Sequence, residues 1–346
     1  MNHHPDRPSA HQIDTLVVPG LSGAPTGRQL AIDPHSPRVA ILAGGLSHER
    51  EVSLRSGRRV ADALRAAGVP VTIHDVDTDL LAFLAREKPD IVWPLLHGAG
   101  GEDGSLRDIL ELESVSYLGS TPKASRIAFD KPIAKERLLS AGLSTPDWIT
   151  LPQDLFRDLG AAGVLAAVAD HFGLPVVVKP TRGGSSLGVT HVSDREGLAR
   201  AMVNCFAYHP HALIERAVEG IELEIPVIDG PDGPVVLPPV EILADGPFDY
   251  DARYNAGRVE YFAPARLSAS QMAYVCDVAV TAHTSLELRH YSRTDLILDS
   301  SGVAQVLEVA VAPGMTETSL FPMSVEASGQ ELPQLYRSLV HNALTS

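Results

Sequence analysis

The sequence predicts an α/β protein that opens with a parallel sheet covered by helices. Two observations carry this reading: short apolar runs of strand length alternate with helical stretches at close spacing, and glycine-rich turns follow the strand ends. The first strand is read at Arg38–Ala43, closed by the Gly44-Gly45 turn. It leads into a helix from Glu51 to Ala67 with Val60, Leu64 and Ala67 on one face. Val71–His74 is the next strand, Asp79–Arg86 a helix and Asp90–Leu96 a third strand. The glycine-rich loop Gly98–Gly104, a helix at Leu106–Leu112 and the segment Ser116–Leu118 complete a first domain over 38–121. Upstream, prolines and histidines recur without sustained periodicity, so residues 1–37 read as a flexible N-terminal extension.

A second region, 122–213, opens with a helix from Asp130 to Ala141. Asp130 suits its N-cap, and Pro132 fits the first turn, where a missing N–H is harmless. Leu174–Lys179 and Val189–Val192 are strands joined by a glycine-serine loop. The remainder, 214–346, is mostly strand at first, with Ala212–Val218 crossing into it, then Glu222–Ile228, Val235–Ile242 and Val259–Ala263. A long helix at Ser270–Leu288 precedes a hairpin of Thr294–Leu298 and Val303–Val309.

Composition narrows the function classes. Of the 346 residues, 45% are apolar and 21% charged, which excludes wholesale disorder. No apolar run approaches the ~18 residues of a membrane-spanning helix. A net charge of −15 disfavours nucleic acid and acidic membranes as partners, leaving small molecules. Cys205 and Cys276 cannot form a disulfide framework, and the first residues lack the basic-apolar-small order of a secretory signal, so a cytoplasmic protein is expected. Only five lysines stand against 23 arginines, which makes each lysine worth inspecting.

Three constellations can carry chemistry. The loop 181–188 offers backbone N–H groups and hydroxyls free of bulky side chains, a shape that wraps phosphate oxygens, although it lacks P-loop spacing. Lys179 closes a very apolar strand, where an ammonium needs an anion. In the 294–309 hairpin, a two-residue turn would pair Asp295 with Val306 and leave Glu308 diagonal to Asp295 on the same face. Two such carboxylates suit a hard divalent cation such as Mg²⁺. A three-residue turn would put them on opposite faces. Finally, Ser47–Glu51 and the trio His97, Glu102 and Asp103 follow the carboxyl ends of the first and third strands, where open parallel sheets bind ligands.

Eight segments in order resemble the D-alanine–D-alanine ligase family of the ATP-grasp superfamily. They are GGLSHEREVSLRSG (44–57), LHGAGGEDGSL (96–106), DK (130–131), VVKPTRGGSSLGV (177–189), IERAVEGIE (214–222), DARY (251–254), SRTD (292–295) and LEVAVAPGMTETSLFP (307–322). The resemblance implies an N-terminal parallel-sheet domain followed by a two-lobed ATP-grasp fold. It also implies an ATP-dependent ligase that joins two D-alanines through an acyl phosphate, for peptidoglycan synthesis. Such an enzyme would use Mg²⁺, with Mn²⁺ as a substitute, and would be a homodimer. On this resemblance Lys131, Lys179 and Arg253 meet the phosphates, beneath a loop containing Gly183, Gly184 and Ser186. Glu215 and the Ala217–Val218 backbone meet adenine, and Glu222 meets the ribose. Asp295 and Glu308 hold the metal. Glu49, with His97 nearby, takes the first substrate's ammonium. Arg293 and the Gly314 N–H face the tetrahedral oxyanion, Ser319 the second carboxylate, and Ser185 and Tyr254 order the closing loop.

Two positions depart from the family. Its Glu-x-Asn metal pair reads Glu308-Val309-Ala310, and a lysine is replaced by Arg253, whose planar fork is not interchangeable with an ammonium. Ala310 favours two rival readings: a diverged ligase for another D-amino acid or amine, and a catalytically weak ATP-binding paralogue.

Overall fold

The computed structural model describes residues 36–244 and 259–345. In chain order the first unit is β1 (Val39–Leu42), α1 (Arg50–Ala66), β2 (Val71–His74), α2 (Leu80–Glu87), β3 (Ile91–Pro94) and α3 (Ser105–Leu112). Its strands form a parallel sheet in the order β2-β1-β3, as the alternating pattern predicts. Both β1 and β3 are wholly buried, which is why they read as unbroken apolar runs. Gly57 lets α1 lie close on the sheet, since a Cβ there would come within 2.6 Å of the Ala43 methyl.

The second unit comprises α4 (Pro122–Phe129), α5 (Lys131–Ser140), β4 (Trp148–Pro152), α6 (Gln153–Leu159), α7 (Ala161–Phe172), β5 (Val176–Pro180), β6 (Thr190–Val192), α8 (Arg195–Phe206) and β7 (His211–Arg216). Asp130 caps α5 as its sequence position predicts, accepting from the Ile133 N–H. The strands pair antiparallel in the order β4-β7-β5-β6. The sequence-based boundary at 213 falls within β7, an inner strand of this sheet. Val168 and Phe172 of α7 and Leu198 and Met202 of α8 seal one face against Val176, Val178 and Ile214.

The third unit holds β8 (Gly220–Gly230), β9 (Gly233–Val236), β10 (Val240–Ala244), β11 (Val259–Phe262), α9 (Ala269–Ser285), β12 (Tyr291–Asp299), β13 (Ala304–Ala310), α10 (Leu320–Ala327) and α11 (Leu332–Thr345). An antiparallel sheet runs β11-β10-β8-β12-β13, with β9 also paired to β8. The single strand expected over Val235–Ile242 is two strands. Pro238 and Pro239 lie between them, and proline has no N–H for a ladder. Trp93 donates its indole N–H to the Tyr291 hydroxyl at 3.1 Å and stacks edgewise on Tyr336, joining the first sheet to the third unit. Among the described residues no helix is long and apolar enough to cross a membrane.

The hairpin corrects one expectation and restores its consequence. Leu296 pairs with Val306 and Leu298 with Ala304, so the turn has three residues. The Asp299 side chain accepts from the Ser301 and Val303 N–H groups, and Gly302 takes φ +83°. Glycine in the left-handed region at the end of a three-residue turn is the expected form. That register alone would separate the carboxylates. A bulge between Leu296 and Asp295 then adds Leu307 to β13, and Asp295 pairs directly with Glu308.

Candidate active site

Two cavities meet between the three units. The larger, about 490 Å³, lies between the central and third sheets and is lined by Val177, Lys179, Ser186, Glu215, Ala217, Val218, Glu222, Asp295 and Leu307, among others. The smaller, about 70 Å³, is lined by Glu49, His97, Ser185, Arg293, Ala310, Gly314 and Ser319, among others, and has room for only a few water-sized groups. Lys131, Gly183, Gly184 and Glu308 line both. Every residue that the family resemblance assigns a role, within the described residues, falls on one cavity or the other, whereas Asp103 and the neighbours of Glu49 in the 47–51 segment line neither. Arg253 and Tyr254 lie outside the described residues.

The glycine-serine loop is tied down at both ends of its reach. Lys131 donates its N–H to Thr181 O at 3.0 Å and its ammonium to Gly183 O at 2.7 Å. Asp130 pairs with Arg182 at 2.9 Å. Further along, the Ser185 hydroxyl donates to the Glu49 carboxylate, so the loop closes across the first unit. Ser185 and Ser186 stand at φ +50° and +57°, a region non-glycine residues seldom occupy. Such strain costs ~1–3 kcal/mol per residue and persists where the surroundings enforce it. Gly184 allows the approach, because a Cβ there would sit 3.2 Å from Glu49 Oε1.

Around the small cavity the charges are dense and buried. Glu49 lies at the N-terminus of α1, where a carboxylate is favoured. Beside it, Glu102 accepts the Gly98 N–H at 2.8 Å. Burial, and next the neighbouring Glu49, push Glu102 up to about 8. Burial lowers His97 to about 4, so its imidazole is neutral. Its Nδ1 lies 3.1 Å from Ala312 O, which can only accept, and its Nε2 lies 3.2 Å from Ser56 Oγ. Both ring nitrogens are thus used within the protein, and His97 forms a fixed wall of the cavity. Gly314 sits close against Ser319, whose hydroxyl accepts the Thr316 N–H at 2.9 Å.

Arg293 lies between two carboxylates. Its Nε and Nη2 donate to Asp295 at 2.7 and 2.6 Å, and Glu224 lies 3.0 Å from Nε. Despite burial, these two acids raise the Arg293 pKa. Burial lifts Asp295 to about 7 even with Arg293 beside it. Burial also opposes ionisation of Glu308, but Lys131, with Lys179 and Arg293, draws it down to about 2. The Lys131–Glu308 pair is 3.1 Å long. Asp295 and Glu308, side by side at the junction of the cavities, are oxygen donors of the kind Mg²⁺ takes. Two protein carboxylates leave coordination positions for water and phosphate oxygens, as that ion prefers. Ala310, opposite Arg293 in register, adds no side-chain oxygen.

In the large cavity Glu215 is clasped from two sides. Lys179 reaches Oε1 at 2.5 Å and Lys135 reaches Oε2 at 2.8 Å. Motif reading missed Lys135, which stands behind Glu215, and Glu224, which pairs with Arg293 on the small cavity, and both left signals. Lys135 follows Lys131 by four residues, on the same helix face. Glu224 follows Glu222 by two, on the same strand face.

The architecture and the paired cavities define an ATP-grasp protein, with a nucleotide-sized cleft opening onto a small acid-lined chamber. Residues 138–341 match the family model "D-ala D-ala ligase C-terminus". The chain is 38% identical over 307 residues to the D-alanine–D-alanine ligase of Anaeromyxobacter sp. strain K, covering 88% of this chain and 96% of that one. Among solved structures, the Bacillus anthracis D-alanine–D-alanine ligase superposes with a TM-score of 0.76 at 30% identity, covering 90% of this chain and 98% of that one. A structure of the Bacillus anthracis ligase complexed with ATP superposes at 0.75, with 27% identity and the same two coverages. The chain belongs to the D-alanine–D-alanine ligase family.

Proposed function

We propose that this chain is an ATP-dependent ligase that joins two D-alanines into D-alanyl-D-alanine. The observation that carries the reading is the junction of the cavities: Lys131, Gly183, Gly184 and Glu308 belong to both. A nucleotide in the larger cavity with its phosphates at this junction would present its terminal phosphoryl group to a carboxylate held in the smaller one. The relatives favour D-alanine over the two rival readings drawn from Ala310.

In this reading adenine lies against Glu215, Ala217 and Val218, and the ribose hydroxyls meet Glu222. The 183–188 loop covers the phosphates, which Lys131 and Lys179 neutralise, with Arg253 as a further cation. Glu49 holds the ammonium of the first D-alanine, so its carboxylate points at the junction. An oxygen of that carboxylate attacks the terminal phosphorus, ADP leaves, and an acyl phosphate remains. The second D-alanine, its carboxylate at Ser319, attacks the acyl carbon as the free amine, having released its ammonium proton to solvent, and the further proton lost from nitrogen leaves with the phosphate. Arg293 and the Gly314 N–H meet the oxyanion of the tetrahedral intermediate, which expels phosphate. Positioning and charge neutralisation supply most of such catalysis, and no covalent protein nucleophile is needed. Glu49, Ser185 and Tyr254 close the loop and exclude water, which would hydrolyse the acyl phosphate. Asp295 and Glu308 would hold Mg²⁺, which when bound adds positive charge beside the transferring phosphoryl group. A homodimer acting in the cytoplasm belongs to the same proposal and is checked by sedimentation and fractionation.

The acyl phosphate is tested by isotope scrambling. With ¹⁸O in the β,γ-bridge of ATP, D-alanine alone should move label into the β-nonbridging positions. Scrambling that is absent with D-alanine, or as fast with L-alanine, would remove the proposal.

A further inference from the structure

Lys135 stands one helical turn beyond Lys131 and is 1% exposed, in a chain with five lysines in all. The sequence uses arginine for most cations, so a lysine sealed in the interior is a specific choice. Its ammonium has two partners, the Thr145 hydroxyl and Glu215 Oε2 at 2.8 Å. Glu215 is as deeply buried, and Lys179 holds its other oxygen. Lys179 and Glu215 line the large cavity, while Lys135 stands behind Glu215.

The two lysines face different fates when nucleotide binds. Lys179 lines the cavity proposed for the nucleotide, where an incoming triphosphate would compete with Glu215 for its ammonium. Lys135 has no such route, because it is enclosed between α5, Thr145 and β7. It remains as the fixed counter-ion of a buried carboxylate that would otherwise be left uncompensated and would take up a proton. Although burial opposes ionisation of Glu215, Lys179 and Lys135 keep its pKa below the usual range.

We propose that Lys135 is a positioning residue that sets nucleobase choice, by keeping Glu215 ionised and fixed while the phosphates occupy Lys179. This rests on the reading of Glu215 as the adenine contact. A carboxylate accepts the N6 amino hydrogen of adenine and repels the O6 of guanine. A protonated or displaced Glu215 loses that distinction and can donate to O6 instead.

The test compares kcat/KM for ATP and GTP in Lys135→Met, Glu215→Gln and the double variant, with melting curves confirming that each is folded. Lys135→Met should lower the ATP:GTP preference roughly tenfold or more, the scale of a charged hydrogen bond. The loss should appear in the nucleotide KM, with kcat at saturating ATP and the KM for D-alanine little changed. A merely structural lysine would weaken both nucleotides alike. The double variant should match Glu215→Gln in its preference, because Lys135 acts only through Glu215. Should Lys135→Met fail to fold, the comparison of Glu215→Gln with the double variant decides alone, and a further loss of preference in the double overturns the proposal. An unchanged ratio in Lys135→Met, with a collapsed ratio in Glu215→Gln, overturns the role of Lys135 and leaves the adenine contact standing. An unchanged ratio in Glu215→Gln overturns both.

Discussion

Asp295 and Glu308 face each other in direct register because two irregularities of the β12–β13 hairpin cancel, a three-residue turn and a one-residue bulge at Leu307. Side chains alternate along a strand, so either irregularity alone would send the carboxylates to opposite faces. Their charges are met by Arg293 and Lys131. Asp295→Asn and Glu308→Gln keep the shapes and remove one negative charge each. Each should lower Mg²⁺-dependent turnover ~100-fold or more, the scale of a lost electrostatic contact in a transition state. Steady-state ADP release across a Mg²⁺ series checks this; Glu308→Gln with an unshifted Mg²⁺ curve would contradict the metal assignment.

Ala310 occupies the position opposite Arg293 where the family motif carries asparagine. Were Asp295 and Glu308 to hold Mg²⁺, the alanine would supply no oxygen and a water would stand in its place, since Mg²⁺ gives up water reluctantly. Ala310→Asn should lower the half-saturating Mg²⁺ concentration, by an amount corresponding to roughly 1–3 kcal/mol for one recovered polar partner. Amino-acid preference should stay as it was. A switch in that preference would show that Ala310 shapes the substrate chamber instead.

Ser185 ties the 183–188 loop to the first unit through its hydrogen bond to Glu49. Removing the hydroxyl in Ser185→Ala frees the loop and leaves the Glu49 charge. The KM for D-alanine should rise roughly tenfold, and ATP hydrolysis without peptide formation should increase as water enters. The ratio of phosphate to dipeptide measures this directly. A ratio equal to that of the unaltered chain would mean that the loop closes without Ser185.

Glu102 gives a pH dependence of stability. Its folded pKa, about 8, lies above the ordinary value of 4.5, so its contribution is fully present below about pH 4.5. It is lost as pH rises through about 8, because the unfolded state releases the proton first. Glu102→Gln removes the ionisation. The variant should therefore gain on the unaltered chain between about pH 5 and about pH 9, by roughly several degrees in melting temperature. Parallel melting curves at all pH values would show that Glu102 is not held protonated.

Much of this molecule was legible because local chemistry and burial point the same way. The strands around Ile41 and Trp93 are apolar throughout since the sheet is covered on both faces, and Asp130 announces the helix that carries Lys131. The hairpin was legible only in part. Gly302 at the third position of the turn signals three residues, but the Leu307 bulge has no local marker, being set by the pairing of β13 with β12. Lys135 and Glu224 show the same limit from the other side. Their spacing from Lys131 and Glu222 was visible, whereas the anion or cation each one holds comes from a different element and exists only once the sheets are assembled.

The central claim is D-alanine ligation at the expense of ATP. It is tested most directly by incubating the full chain with ATP, Mg²⁺ and D-alanine and identifying the amino-acid product by mass spectrometry alongside ADP. The account predicts D-alanyl-D-alanine in one-to-one proportion with ADP, none from L-alanine, and none from a Lys131→Ala variant that remains folded. ADP formation indifferent to D-alanine, with no dipeptide, would contradict it.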